Sequence, residues 1–195
     1  SLIVRPEIKS VQELAGRALA TPQIGSTQDI SLRKFLGEIG LKPRELGGNV
    51  RINALASANI LEEMRRGELS AAWLPEPWAS RVVHEIGAVR LLDERERWPG
   101  GRFPTAIAVV RRQFDARRAD EVRRVTAVLQ AEIPRMASNR QLVFAEIKRI
   151  TRKGLPAPVL DASWQHVDFT ADPLSEPLQQ IARDMLALGF VPHAD

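Results

Sequence analysis

The sequence predicts an α/β fold in which a mainly parallel sheet is covered by helices. Three observations point there. Over the first hundred residues, short apolar strand-like runs alternate with segments of helical period. The helical segments are closed by Gly40, Gly67 and Gly87, the residue that best adopts the left-handed turn ending a helix. After the turn-rich run Trp98-Pro99-Gly100-Gly101 the character changes to long amphipathic helices.

Val11 to Gly16 reads as a short helical turn with Ser10 as its cap. Residues 17–21 read as a buried strand stopped by Pro22. Leu32, Phe35, Leu36 and Ile39 then follow the i, i+3, i+4, i+7 rule of a helix with one apolar face. Val50 and Ile52 predict a strand to about Leu55, and a helix follows from about Ala58 to Arg66. Leu69 to Leu74 is a further strand. Pro75 and Pro77 open a helix carrying Trp78, Val82 and Ile86 on one face, and Val89 to Leu92 is a short strand. Thr105 to Val110, rich in β-branched residues, also reads as a strand.

Beyond it, three stripes predict three helices: Val122, Val125, Leu129, Ile133 and Met136; Val143, Ile147 and Ile150; Leu178, Ile181, Met185 and Leu188. Gly154 to Pro158 reads as a stiff linker, and 164–169 as a place for one more short strand. The second half thus has apolar helix faces but few strands for them to cover. Either those helices bundle together, or part of their sheet lies outside this sequence.

Composition narrows the chemistry. The 195 residues include no Cys, which removes thiolate metal sites, disulfides and Cys nucleophiles. His84, His166 and His193 share no ligand spacing, so no metal and no cofactor is expected. No Gly-x-Ser-x-Gly elbow, Walker-type loop or dinucleotide fingerprint occurs. Net charge is +4, and 23 of the 28 basic residues are Arg. The Arg pairs mostly have acidic neighbours and no interleaved aromatic platforms, which reads as solvated helix faces rather than a nucleic-acid surface. A mild positive field remains able to draw in an anion. No apolar window is long enough for a membrane span.

Two segments carry chemistry. In the first, Thr21-Pro22-Gln23-Ile24-Gly25-Ser26-Thr27-Gln28-Asp29, a strand passes into a helix. Gly25 lets backbone approach a ligand, and Ser26 or Thr27 can cap the helix. The first N–H groups of that helix are free at the positive end of its dipole, where a carboxylate, sulfonate, phosphate or nitrate fits. Gln28 adds a neutral donor and acceptor. The competing reading is an ordinary capped turn. In the second segment, Trp73, Glu76 and Trp78 lie where a strand end meets a helix, the edge at which open parallel sheets bind ligands. Its competing reading places Trp78 in the core and Glu76 at the helix start.

At these residues the sequence resembles the solute-binding proteins of nitrate/sulfonate/taurine-type ABC importers. The resemblance rests on the run from Ala20 to Asp29 with Ser31-Leu32-Arg33, and on Ala71 to Ala79. It continues through Leu92-Asp93-Glu94, residues 98–105 and the stretch from Val167 to Leu174. It implies a two-lobe periplasmic-binding-protein-like fold of type II whose first lobe is incomplete in this chain. Residues 10–104 are then expected to form the second lobe, and residues 1–9 and 105–195 the C-terminal part of the first. It implies that Gly25, Ser26, Thr27 and Gln28 bind the anionic head of a ligand. It also implies that Glu76 and Trp78, close to the candidate Trp73, lie at or near the cleft, and that Thr105 sits where the chain crosses back to the first lobe.

The expected partners are a small organic anion, sulfonates first and nitrate-like ions second, and an ABC permease with its ATPase. The expected location is periplasmic or cell-surface, although the chain opens without a signal segment. Neither membrane insertion nor enzymatic activity is expected. Self-association is expected if an exposed sheet edge is left uncovered. A cytosolic ligand-sensing domain on the same scaffold is the alternative.

Overall fold

A computed structural model describes residues 1–152 and 154–193. The described residues divide into two compact units, 1–105 with 174–193 and 106–173.

The first unit contains a five-stranded sheet. Its strands are β1 (Leu2–Val4), β2 (Ala18–Thr21), β3 (Arg51–Ala54), β4 (Ala71–Trp73) and β5 (Val89–Leu92), in the order β3-β2-β4-β1-β5. Strand β2 runs parallel to β3 and to β4. Strand β1 runs antiparallel to both β4 and β5, so the sheet is mixed rather than simply parallel. The alternation of strand and helix predicts the parallel part. It is silent on β1, which precedes the alternation and fills the gap left between β4 and β5.

Successive side chains of a strand point to opposite faces, and in the inner strands β2, β4 and β1 both faces are buried, while the edge strands β3 and β5 are partly exposed. Leu2, Val4, Leu19, Ala71 and Trp73 face one way, onto Leu32, Phe35 and Leu36 of α1 (Thr27–Glu38). Ile3, Ala20 and Ala72 face the other way. They meet Ile60, Leu61 and Met64 of α2 (Ser57–Arg66) and Ala79 and Val82 of α3 (Trp78–Ile86). Helix α7 (Ser175–Ala187) joins this unit by packing on α1, with the ion pair Lys34–Asp184 at 2.8 Å. Both β1 and α7, assigned on sequence grounds to the first lobe, therefore belong to the unit built on this sheet.

The second unit holds α4 (Arg112–Ser138), α5 (Arg140–Thr151) and α6 (Ala157–Trp164). Its centre is aromatic: Phe144 meets Trp164 edge-on at 5.8 Å, and Trp164 meets Phe169 at 5.7 Å. Helix α4 has no buried residue, and Val125, Val128 and Leu129 stand exposed.

Three expectations are corrected here. Residues 105–110 form no strand; Val109 is 82% exposed, and the segment pairs with no described strand. A β-branched run becomes a strand only when a neighbouring backbone takes its hydrogen bonds. Residues 164–169 hold no strand either, because α6 runs to Trp164 and ends in a turn. The linker before it stops at Pro156, and Pro158 lies in the first turn of α6, where a missing N–H costs nothing.

Candidate anion site at the start of helix α1

Strands β2, β3 and β4 are mutually parallel, so their carboxyl ends lie along one edge of the sheet. The turn from β2 into α1 emerges there. Gly25 has φ +71°, a conformation only glycine adopts without strain. Ser26 is the N-cap, its Oγ accepting from the backbone N–H of Asp29 at 3.3 Å. The reciprocal arm comes from Asp29, whose Oδ2 accepts from the backbone N–H of Gly25 at 2.9 Å. This is a capping box displaced by one residue, and it locks the turn from both sides.

Asp29 is fully buried. Its other contacts are the Thr21 hydroxyl, donating at 3.1 Å, and Arg33 Nε at 3.0 Å. Arg33 also reaches Glu45 at 2.5 Å. Burial works against the charge on Arg33, but the carboxylates of Glu45 and Asp29 outweigh it and raise its pKa. Strand β2, helix α1 and the segment carrying Glu45 are thereby tied to one turn.

The capping arrangement uses the N–H groups of Gly25 and Asp29 and, through the Ser26 carbonyl, that of Ile30. The backbone N–H groups of Thr27 and Gln28 donate to no described residue. Gln28 as a residue is only 8% exposed; its amide has no hydrogen-bond partner among the described residues and keeps its contact with solvent. Two free backbone donors and one uncommitted amide at the positive end of a helix dipole suit an oxyanion.

The second segment is placed differently. Trp73 is 0% exposed in the core, its ring 5.6 Å from that of Phe35 and its indole N–H donated to Glu94. A side chain so enclosed cannot wall an open cleft. Glu76 lies beneath the start of α3, where one oxygen accepts from Ser80 N at 3.1 Å and the other from Arg90 at 2.5 Å. Its carboxylate is committed within the fold. Trp78 opens α3 half-buried, with the Arg81 guanidinium 4.9 Å from its ring centre. Thr105 is exposed and outside any strand, at the last residue before the second unit.

Sequence reasoning places Arg33 and Glu94 within the resembling runs without giving either a role, and it does not reach Phe190. Arg33 has a signal, its i+4 spacing from Asp29. Glu94 has none; three donors, Ser31 Oγ at 3.0 Å, Trp98 Nε1 at 2.8 Å and Trp73 Nε1, meet on it only in the fold. A cavity of about 440 Å³ lies beside that carboxylate, lined by α1, residues 94–99 and α7. Its two cations are already paired, Lys34 with Asp184 and Arg97 with Glu38. Among the described residues no cluster of His, Asp or Glu is placed to hold a metal, and no helix is long and apolar enough to cross a membrane.

Comparison with known proteins adds three findings. The model of the NMT1-like family matches residues 6–144. No curated protein matches the chain. Among solved structures, the fold matches the periplasmic aliphatic sulphonate binding protein SsuA from Escherichia coli with a TM-score of 0.77 at 22% identity, covering 99% of this chain and 61% of that one. It also matches the alkanesulfonate-binding protein SsuA from Xanthomonas axonopodis pv. citri, solved bound to MOPS. There the TM-score is 0.75 at 19% identity, covering 100% of this chain and 66% of that one. An ABC transporter protein from Parabacteroides distasonis matches with a TM-score of 0.64 at 15% identity, covering 95% and 63%. The fold is thus that of periplasmic binding proteins, and the chain spans less than two thirds of the length of these proteins.

Proposed function

The chain belongs to the NMT1-like family, and on that premise we propose that it binds a small organic anion, an aliphatic sulfonate first, at the start of α1. The observation that carries this reading is Gln28, a largely buried residue whose amide has no partner among the described residues, beside the free N–H groups of Thr27 and Gln28. No fully buried side-chain N or O lacks a partner among the described residues, so this amide meets solvent at the turn, where an oxyanion can take the place of water. Gly25 and Ser26 shape the turn, and Thr27 and Gln28 supply the donors.

The sulfonate preference draws on the two matched structures named for sulfonate binding. Nitrate-like ions are the second choice, since a helix start recognises any oxyanion. We further propose that the unit built on the sheet is the second lobe of a two-lobe binding protein. In that role the protein hands its ligand to an ABC permease in the periplasm and performs no chemistry on it. Trp78 and Glu76 border the same sheet edge through the β4–α3 turn, and their part is to shape and stiffen that border.

A thermal-shift series tests the reading, with methanesulfonate, taurine, MOPS, nitrate and bicarbonate added to this chain. A ligand that binds only the native state stabilises it by about 2.7 kcal/mol at a hundredfold excess over Kd. A shift with sulfonates is the expected result. Absence of a shift with every anion would remove the site.

A further inference from the structure

We infer that Phe190, together with Ile24, forms an apolar wall beside the turn at the start of α1 and selects anions that carry an apolar tail over bare inorganic oxyanions. The inference rests on the anion-binding reading of that turn.

Phe190 arrives from the far end of the sequence. After α7 the chain turns at Gly189, whose φ is +76°, and the Phe190 N–H returns to the Met185 carbonyl at 2.9 Å. Helix α7 is anchored on α1 by Lys34–Asp184, and Gln180 Nε2 donates to the same carboxylate at 2.8 Å. The phenyl edge is thereby set against Gly25: its Cδ1 lies 3.4 Å from where a Cβ on that residue would stand. The Arg33 guanidinium lies 5.6 Å from the ring centre. Since Arg33 is paired to Asp29, and Asp29 holds the Gly25 N–H, the ring and the turn are fixed through one set of contacts.

Phe190 remains only half-buried, and Ile24, one residue before Gly25, is 65% exposed. Apolar surface thus stands against Gly25 and on the residue before it, within a few residues of the free N–H groups of Thr27 and Gln28. Nitrate or sulfate engages the donors and covers none of that surface. An organic sulfonate engages the donors with its head and removes apolar surface from water with its first carbons. The added affinity depends on the tail and not on the charge.

The test is a calorimetric series with sulfate, methanesulfonate, butanesulfonate and benzenesulfonate on the unaltered chain, Phe190→Ala and Phe190→Leu. Phe190→Ala is expected to weaken butanesulfonate and benzenesulfonate about tenfold while leaving sulfate within about twofold. Phe190→Leu is expected to recover butanesulfonate but not benzenesulfonate, and this comparison decides the matter if the alanine variant does not fold. A uniform loss across all four anions would show that Phe190 only supports the fold, and no loss at all would place it outside the site; either overturns the inference. If the unaltered chain binds none of the four, the anion reading of the turn falls first and the inference with it.

Discussion

Gln28 and Trp73 show how differently two residues singled out by one resemblance can be used. Gln28 keeps an amide free while nearly enclosed. Gln28→Ala should weaken anion binding by roughly 1–3 kcal/mol, the value of a hydrogen bond to a charged group, while the melting temperature of the unliganded chain stays put. Calorimetry reads the first and a melt the second; unchanged affinity would remove Gln28 from the site. Trp73 is the reverse case. Its ring packs on Phe35 and its N–H is taken by Glu94, so Trp73→Ala should cost about 3–5 kcal/mol in denaturant unfolding, as for other large core truncations. A loss below about 1 kcal/mol would contradict the core placement. The sequence marks both residues but cannot separate them. Burial depends on what α1 and the segment 94–98 lay over the end of β4, and no local pattern encodes that. Phe190 is beyond sequence reasoning for the same cause: only the docking of α7 on α1 brings it to Gly25.

The elements were more legible than their partners. The start of α1 could be read from Gly25, the Ser26 cap and the stripe Leu32, Phe35, Leu36 because each is a local device with a fixed spacing. Strand β1 has three residues and no periodicity to show, and its place between β4 and β5 is a long-range fact. The run 105–110 was misread because β-branched alternation specifies a willing strand, not a paired one. Helices α2 and α3 offer a test at this scale. Arg81 on α3, foremost, and Arg65 on α2 hold the Glu85 carboxyl below its ordinary value of 4.5. A carboxyl with a depressed folded-state pKa contributes stability above its unfolded value, and the contribution is lost as pH falls through the folded value. Glu85→Gln should therefore lower stability at neutral pH slightly and flatten its decline below about pH 4.5. Denaturant melts across that range should show the two curves converging in acid; parallel curves would mean the pairs contribute nothing.

Taken whole, the chain distributes its apolar surface unevenly. The unit on the sheet buries the inner strands of that sheet on both faces, whereas in the helical unit Val125, Val128 and Leu129 of α4 stay in water together with Ile107, Val109 and Val110. Exposed apolar surface of this kind drives association. Light scattering of the isolated chain should report a mass above 21.7 kDa that grows with concentration, and a monomer at every concentration would show that this surface is tolerated. Strand β1 carries a consequence of another sort. Leu2 meets Trp73 on one side and Leu92 on the other, so a strand that precedes the other four strands of this sheet in sequence is among the last that can find its full place. Once β4 has left the ribosome β1 can pair with it, at the loop-closure cost of the long intervening segment, but β1 stays an edge until β5 follows. Folding of this unit is therefore tied to completion of the β4–α3–β5 segment, and a pause in translation before residue 92 leaves a nascent chain with β1 as an uncovered edge.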